Sequence, residues 1–165
     1  MHWYLVHTKP RLEKCALENL ERQQYRCYLP MLSTEKLRKG KLELVDEPLF
    51  PRYLFIQLDT GLSAPSWSPI RSTKGVNKLV SFGFEPAKVA NELVDLLMTQ
   101  EQTLRETPQA LFSPGERVKV TQGPFAGIEG VYQMTDGERR VMVLIELMSK
   151  PVTLPLEPTQ LRKVS

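Results

Sequence analysis

The sequence predicts an α+β chain in two units, an α/β sandwich followed by a small closed β-barrel. Three observations predict it. Residues 1–101 mix aromatic, β-branched runs with two stretches whose apolar residues recur every three or four positions. Residues 113–165 instead carry short period-two alternations separated by glycine and proline turns. Between them, "QTLRETPQALF" (102–112) is polar, has weak periodicity and contains Pro108, as a linker does.

The first unit opens with "HWYLVHTK", a strand by its aromatic and β-branched content. Pro10 suits the first turn of a helix. The stretch "RLEKCALENLERQQ" sets Leu12, Cys15, Ala16, Asn19 and Leu20 on one helical face, with Lys14, Glu18, Glu21 and Arg22 toward water. "RCYLPMLSTEKLRKGKLELVDEPLF" reads as two strands joined by a basic turn at Arg38–Lys41, where Gly40 gives the bend. "YLFIQLD" is the clearest strand, and "TGLSAPSWSP" is a loop or single helical turn. "KLVSFG" is a further strand. Glu85 and Pro86 are expected to start a helix carrying Val89, Leu93, Leu96 and Leu97.

In the second unit, Val118 and Val120 alternate with polar neighbours, as do Val141, Val143 and Ile145, and again Val152, Leu154 and Leu156. Turn signals fall at "QGPFAG", "TDGE" and "SKP". Roughly five strands in so short a span leave exposed edges unless they close on themselves, so a barrel is expected. Phe125 and Ile128 are expected to plug it. Gly127 supplies a backbone conformation closed to residues bearing a Cβ.

Composition narrows the function. The 165 residues carry a formal charge of +3, mildly basic, which alone does not indicate nucleic-acid binding. Cys15 and Cys27 form no Cys-x-x-Cys pair and read as thiols in a reducing cytosol. No signal peptide and no run of 18 apolar residues is present, so a cytoplasmic protein without a membrane partner is expected. The two histidines, His2 and His7, have no nucleophile beside them, and no phosphate-cradling glycine motif occurs. Asp46 and Glu47 are adjacent and point to opposite faces of a strand. No enzyme, cofactor or metal is expected.

"GERVKVTQGPFAGIEGVY" with "VMVLIELMSKPVTLPLEPTQLRKV" resembles the KOW domain of the NusG family of transcription elongation factors. "WYLVHTKPRLEKCALENLERQ", "EPLFPRYLFIQLD" and "WSPIRSTKGVNKLVSFG" resemble, in order, the N-terminal domain of the same family. Within it, "EPLFPRYLF", "GKLELVDEPLFP" and "DGERR" are closer to the specialised RfaH paralogue. The resemblance implies a non-enzymatic, monomeric antitermination factor with a NusG-like domain at 1–101 and a KOW domain at 113–165.

By the same resemblance, His7, Tyr53 and Phe55 would bind the β′ clamp helices of RNA polymerase. Tyr53 and Phe55 lie two apart on one strand and so share a face. Ser66 and Ser68 stand where RfaH meets the β gate loop, although the run here reads "SWS". Lys9, Thr73 and Lys74, with Arg11 and Arg71 nearby, map to contacts with the exposed non-template DNA strand, and Asn19 stands where the paralogue has a base-contacting histidine. Cys15 occupies a basic position of that surface and cannot supply charge. The tail would recruit the NusE-type small-subunit ribosomal protein or the termination factor Rho, with Ile145, Leu147 and Met148 as contacts by strand addition. RfaH tails also fold as an α-helical hairpin that masks the polymerase site, locked by an ion pair that maps to Glu47 and Arg140. Pro124, Pro151 and Pro155 oppose helix there, so the barrel is expected as the intrinsic state of the isolated tail, with the autoinhibitory hairpin as the alternative. An RNA-binding or ribosome-associated KOW protein without a polymerase role is the rival reading. Its barrel would need a stronger basic stripe than this tail carries.

Overall fold

The structure, a computed structural model, describes residues 1–59, 67–106 and 125–149. At its centre is an antiparallel sheet. Strand β1 (His2–Thr8) pairs with β5 (Tyr53–Leu58), which pairs in turn with β2 (Arg26–Tyr28). The other edge of β1 carries β6 (Val76–Leu79) and the short β9 (Lys88–Val89). A separate hairpin is made by β3 (Met31–Arg38) and β4 (Lys41–Pro48), and a small one by β7 (Ser81–Phe82) and β8 (Glu85–Pro86).

Alternation along β1 and β5 splits the core in two. Tyr4, Val6, Leu54 and Ile56 face one side, where Ala16 and Leu20 of helix α1 (Glu13–Arg22) and Ile70 of helix α2 (Ser68–Arg71) cover them. Trp3, Leu5 and Phe55 face the other, against Leu93, Val94 and Leu97 of helix α3 (Asn91–Glu106). Gly75 permits the close approach of α1. Its φ is +93°, and a Cβ there would lie 2.8 Å from the Ala16 backbone nitrogen.

Several elements differ from expectation. Pro10 lies in a turn, and Arg11 takes a left-handed φ of 64°, so α1 begins at Glu13. Pro86 is in β8 and Val89 in β9, because Trp3 of β1 offers Val89 a strand partner; α3 starts only at Asn91. That helix runs to Glu106, past the expected boundary at 101, and residues 107–112 lie outside the described residues.

The largest difference is in the tail. Val141, Val143 and Ile145, expected in a strand, lie in helix α4 (Gly137–Ser149), preceded by a 3-10 turn at Ile128–Gln133. Helix wins because the same residues that alternate also place Leu144 inward. It is fully buried in one cluster with Phe55, Leu93 and Leu97. Ile128 plugs this joint core and not a barrel, with Phe125 half-buried at its margin. Gly127 does take the expected left-handed φ, 94°. The expected strands at Val118–Val120 and Val152–Leu156, and Pro124, Pro151 and Pro155, lie outside the described residues.

Candidate protein-binding face

The face of β1 and β5 that carries Trp3, Leu5 and Phe55 also carries His7 and Tyr53, which are cross-strand partners. Their rings stand 5.0 Å apart at 50°. Both are half-buried. Phe55 was expected to line an open groove but is 0% exposed. Tyr28 stacks beside it at 6.1 Å and Phe50 meets it edge-on at 6.3 Å. Its cluster is closed by Ile128, Val131, Tyr132 and Leu144 from the tail. This face is therefore covered by α4 and the 3-10 turn of the same chain.

Polar contacts fix that helix. Arg140 is almost fully buried and holds three acceptors. Its Nε donates to the Leu49 carbonyl and its Nη1 to the Met134 carbonyl, both at 2.7 Å, while Nη2 reaches Glu47 Oε1 at 3.3 Å. Glu47 is more exposed and also accepts from Lys36 Nζ at 3.1 Å. Tyr132 donates to the Leu97 carbonyl. Burial pushes the Tyr28 and Tyr132 hydroxyl pKa values well up, with nearby Glu101 adding to both, so each stays a donor. Tyr28 donates to Glu101 Oε1, which also accepts from the Met31 amide. Lys36, Tyr28 and Glu101 escaped sequence reading. Only the register of β3 with β4, and a contact spanning 73 residues, brings them to this face.

Ile145, Leu147 and Met148, expected on an exposed strand edge, are half-buried on α4 against the same cluster. In helix their amides are not free to pair with another strand.

The DNA candidates sit apart from this face, around the start of α1 and the turn before β6. Lys9, Arg11, Arg71 and Lys74 are exposed. Thr73 is not available: its hydroxyl donates to the Pro69 carbonyl at 2.8 Å and accepts from Gln23 Nε2 at 2.7 Å. Asn19 is half-engaged, its amide donating to the Cys15 carbonyl at 2.8 Å and its Oδ1 accepting from Arg22 at 3.4 Å. Ser68 is exposed at the first residue of α2, and Ser66 lies outside the described residues. Cys15 and Cys27 are both free thiols, and burial pushes the Cys27 thiol up to about 12. Among the described residues no His, Cys, Asp and Glu cluster could hold a metal, and no helix is long and apolar enough to cross a membrane.

The family model for the transcription termination factor NusG matches residues 1–98, which hold the whole β1–β5 face. A transcription termination/antitermination protein NusG of Thermus thermophilus is 32% identical over 181 residues, covering 99% of this chain and 98% of its own length. This chain belongs to the NusG family. A NusG of Halalkalibacterium halodurans is 27% identical, with 99% of this chain and 98% of the relative covered, and one of Escherichia coli is 28% identical, with 92% and 84% covered. Residues 125–149 lie beyond the matched family segment, yet the NusG relatives align along almost the entire chain.

Proposed function

We propose that the chain is a transcription antitermination factor of the RfaH kind, held in a masked state by its own tail. The face of His7, Tyr53 and Phe55 takes the β′ clamp helices of RNA polymerase, and α4 occupies it until displaced. One observation carries this reading: Phe55 lies in a single buried cluster with Ile128, Val131 and Leu144 of the tail. An amphipathic helix packed on an aromatic strand is the contact an outside helix would make there. Lys9, Arg11, Arg71 and Lys74 form the surface for the exposed non-template strand, and Ser68 faces the gate loop. Residues 1–101 and 113–165 act as separate units, the second folding as a barrel once released. That barrel recruits a partner such as the NusE-type ribosomal protein or Rho. The protein acts in the cytoplasm and suppresses pausing without enzymatic chemistry.

The test is binding of the full-length chain to core RNA polymerase. Arg140→Ala should tighten binding about tenfold for each 1.4 kcal/mol by which it weakens masking. Adding Tyr53→Ala and Phe55→Ala should abolish that gain. Unchanged binding in the latter variant would remove this face from the proposal.

A further inference from the structure

The row of residues that crosses the sheet beside the masked cluster contains a side-chain hydrogen bond between β6 and β1. In register, Lys78 of β6, His7 of β1 and Tyr53 of β5 stand side by side. One residue further the register slips: Thr8 pairs with Val76, so Asn77 is the extra residue of a β-bulge. A bulge re-aims the side chain at the irregularity. Here it brings Asn77 Nδ2 to 2.7 Å from His7 Nδ1.

With Asn77 Nδ2 turned to the ring, the contact favours one tautomer. An amide nitrogen only donates, so Nδ1 accepts and the single proton of a neutral imidazole lies on Nε2. The Nε2 atom has no hydrogen-bond partner among the described residues. The surroundings favour the neutral ring: burial lowers the His7 pKa, and positive Arg52 and Lys78 lower it further. His7 thus offers a donor, and it does so between two cations. A cationic group on a partner would meet repulsion from both and find no acceptor on the ring itself.

We infer that Asn77 is a positioning residue that sets His7 as an Nε2–H donor, and that the partner surface opposite His7 presents an oxygen acceptor flanked by carboxylates. This rests on the reading of the face as a polymerase-binding site and names the chemistry recognised at its His7 end. Partner specificity there comes from the bulge and not from the aromatic pair, whose stacking accepts many apolar groups.

The tautomer is read from long-range ¹H–¹⁵N imidazole spectra of the full-length, ¹⁵N-labelled protein at pH 7.5. The expected pattern is a protonated Nε2 and a bare Nδ1. Asn77→Ala should give mixed tautomers, and Asn77→Asp, which can only accept, should move the proton to Nδ1. Affinity for core RNA polymerase, measured in full-length Arg140→Ala, should fall by up to about twofold on adding Asn77→Ala, the share of rings that lose the Nε2 proton, and by about fivefold or more on adding Asn77→Asp, the loss of one ordinary hydrogen bond. Lys78→Gln should weaken the same binding, more at low salt than at high salt. A protonated Nδ1 in the unsubstituted protein overturns the proposal. So does a tautomer shift in Asn77→Asp with undiminished polymerase affinity, or tighter binding by Lys78→Gln. The spectra involve no polymerase. If Tyr53→Ala leaves binding intact while the Nε2–H form is seen, it is the polymerase reading that fails and not the role of Asn77.

Discussion

Arg140 on α4 and Glu47 on β4 meet across 93 residues of chain, yet their ion pair is the longest of the three contacts the guanidinium makes. The two carbonyl acceptors at 2.7 Å satisfy most of a group that is 1% exposed. Glu47 is not stranded when Arg140 leaves, because Lys36 still neutralises it. The partners are therefore unequal. Arg140→Ala should loosen α4 by on the order of 3 kcal/mol, since it removes the buried partner of two carbonyls and a carboxylate. Glu47→Gln should cost about 1 kcal/mol, because an amide oxygen can still accept. Amide hydrogen exchange over residues 137–149 measures both. Equal loss of protection in the two variants would mean that the carboxylate, and not the carbonyl pair, anchors the helix.

Gly75 sets how closely α1 lies on the sheet. Gly75→Ala adds a Cβ at φ +93°, 2.8 Å from the Ala16 backbone nitrogen. The backbone conformation alone costs about 1–3 kcal/mol, and backbone cannot move aside as a flexible side chain can. Gly83→Ala is the control, with φ +68° and nothing within 4 Å of the new Cβ. Urea unfolding should show Gly75→Ala losing clearly more stability than Gly83→Ala. Similar losses would mean that strain alone, without the clash, sets the cost.

His7 links stability to pH. Its folded pKa is lowered from 6.5 by burial first and then by Arg52 and Lys78. Below 6.5 the unfolded chain therefore binds the proton more readily than the folded one. The neutral ring contributes its stability above about pH 6.5, and this is lost as pH falls through the lower folded value. In denaturant titrations at pH 7.5 and 5.5, His7→Gln should lose less stability on acidification than the unsubstituted protein. An equal or larger loss in the variant would place the acid sensitivity elsewhere.

The central sheet was legible because β1 and β5 carry short unbroken runs of aromatic and aliphatic residues, as strands buried on both faces require, and the two-sided core uses both faces. Residues such as Lys14 and Glu18 met water as the helical period required. The tail was not legible in the same way. "RVMVLIELM" satisfies period two through Val141, Val143 and Ile145, and a helical face through Val141, Leu144, Ile145 and Met148. Local sequence cannot choose between these, and a non-local surface does, since Leu144 and Ile128 find Phe55 and Leu97. The candidate face was only half readable for the same reason: period two puts Tyr53 and Phe55 together, but not the tail that covers them. The hydrogen bond that Thr73 accepts from Gln23 gives no local signal, because the two lie 50 residues apart. Asn77 gave no signal because a bulge is not written in alternation.

Helix α4 provides a matched pair of sites that separates docking from helix propensity. Leu144 is fully buried against the sheet, whereas Met142 is 68% exposed on the opposite side. Both change to alanine without harming intrinsic helix formation, as alanine is the best helix former. Leu144→Ala should cost about 2–5 kcal/mol of docking through lost burial and the cavity left behind. Met142→Ala should change it by less than about 0.5 kcal/mol. If α4 is held on the face by packing, Leu144→Ala will raise amide exchange across 137–149 and strengthen polymerase binding, while Met142→Ala does neither. If both variants behave alike, the helix persists through its own propensity, and the buried cluster around Phe55 is not what keeps the face closed.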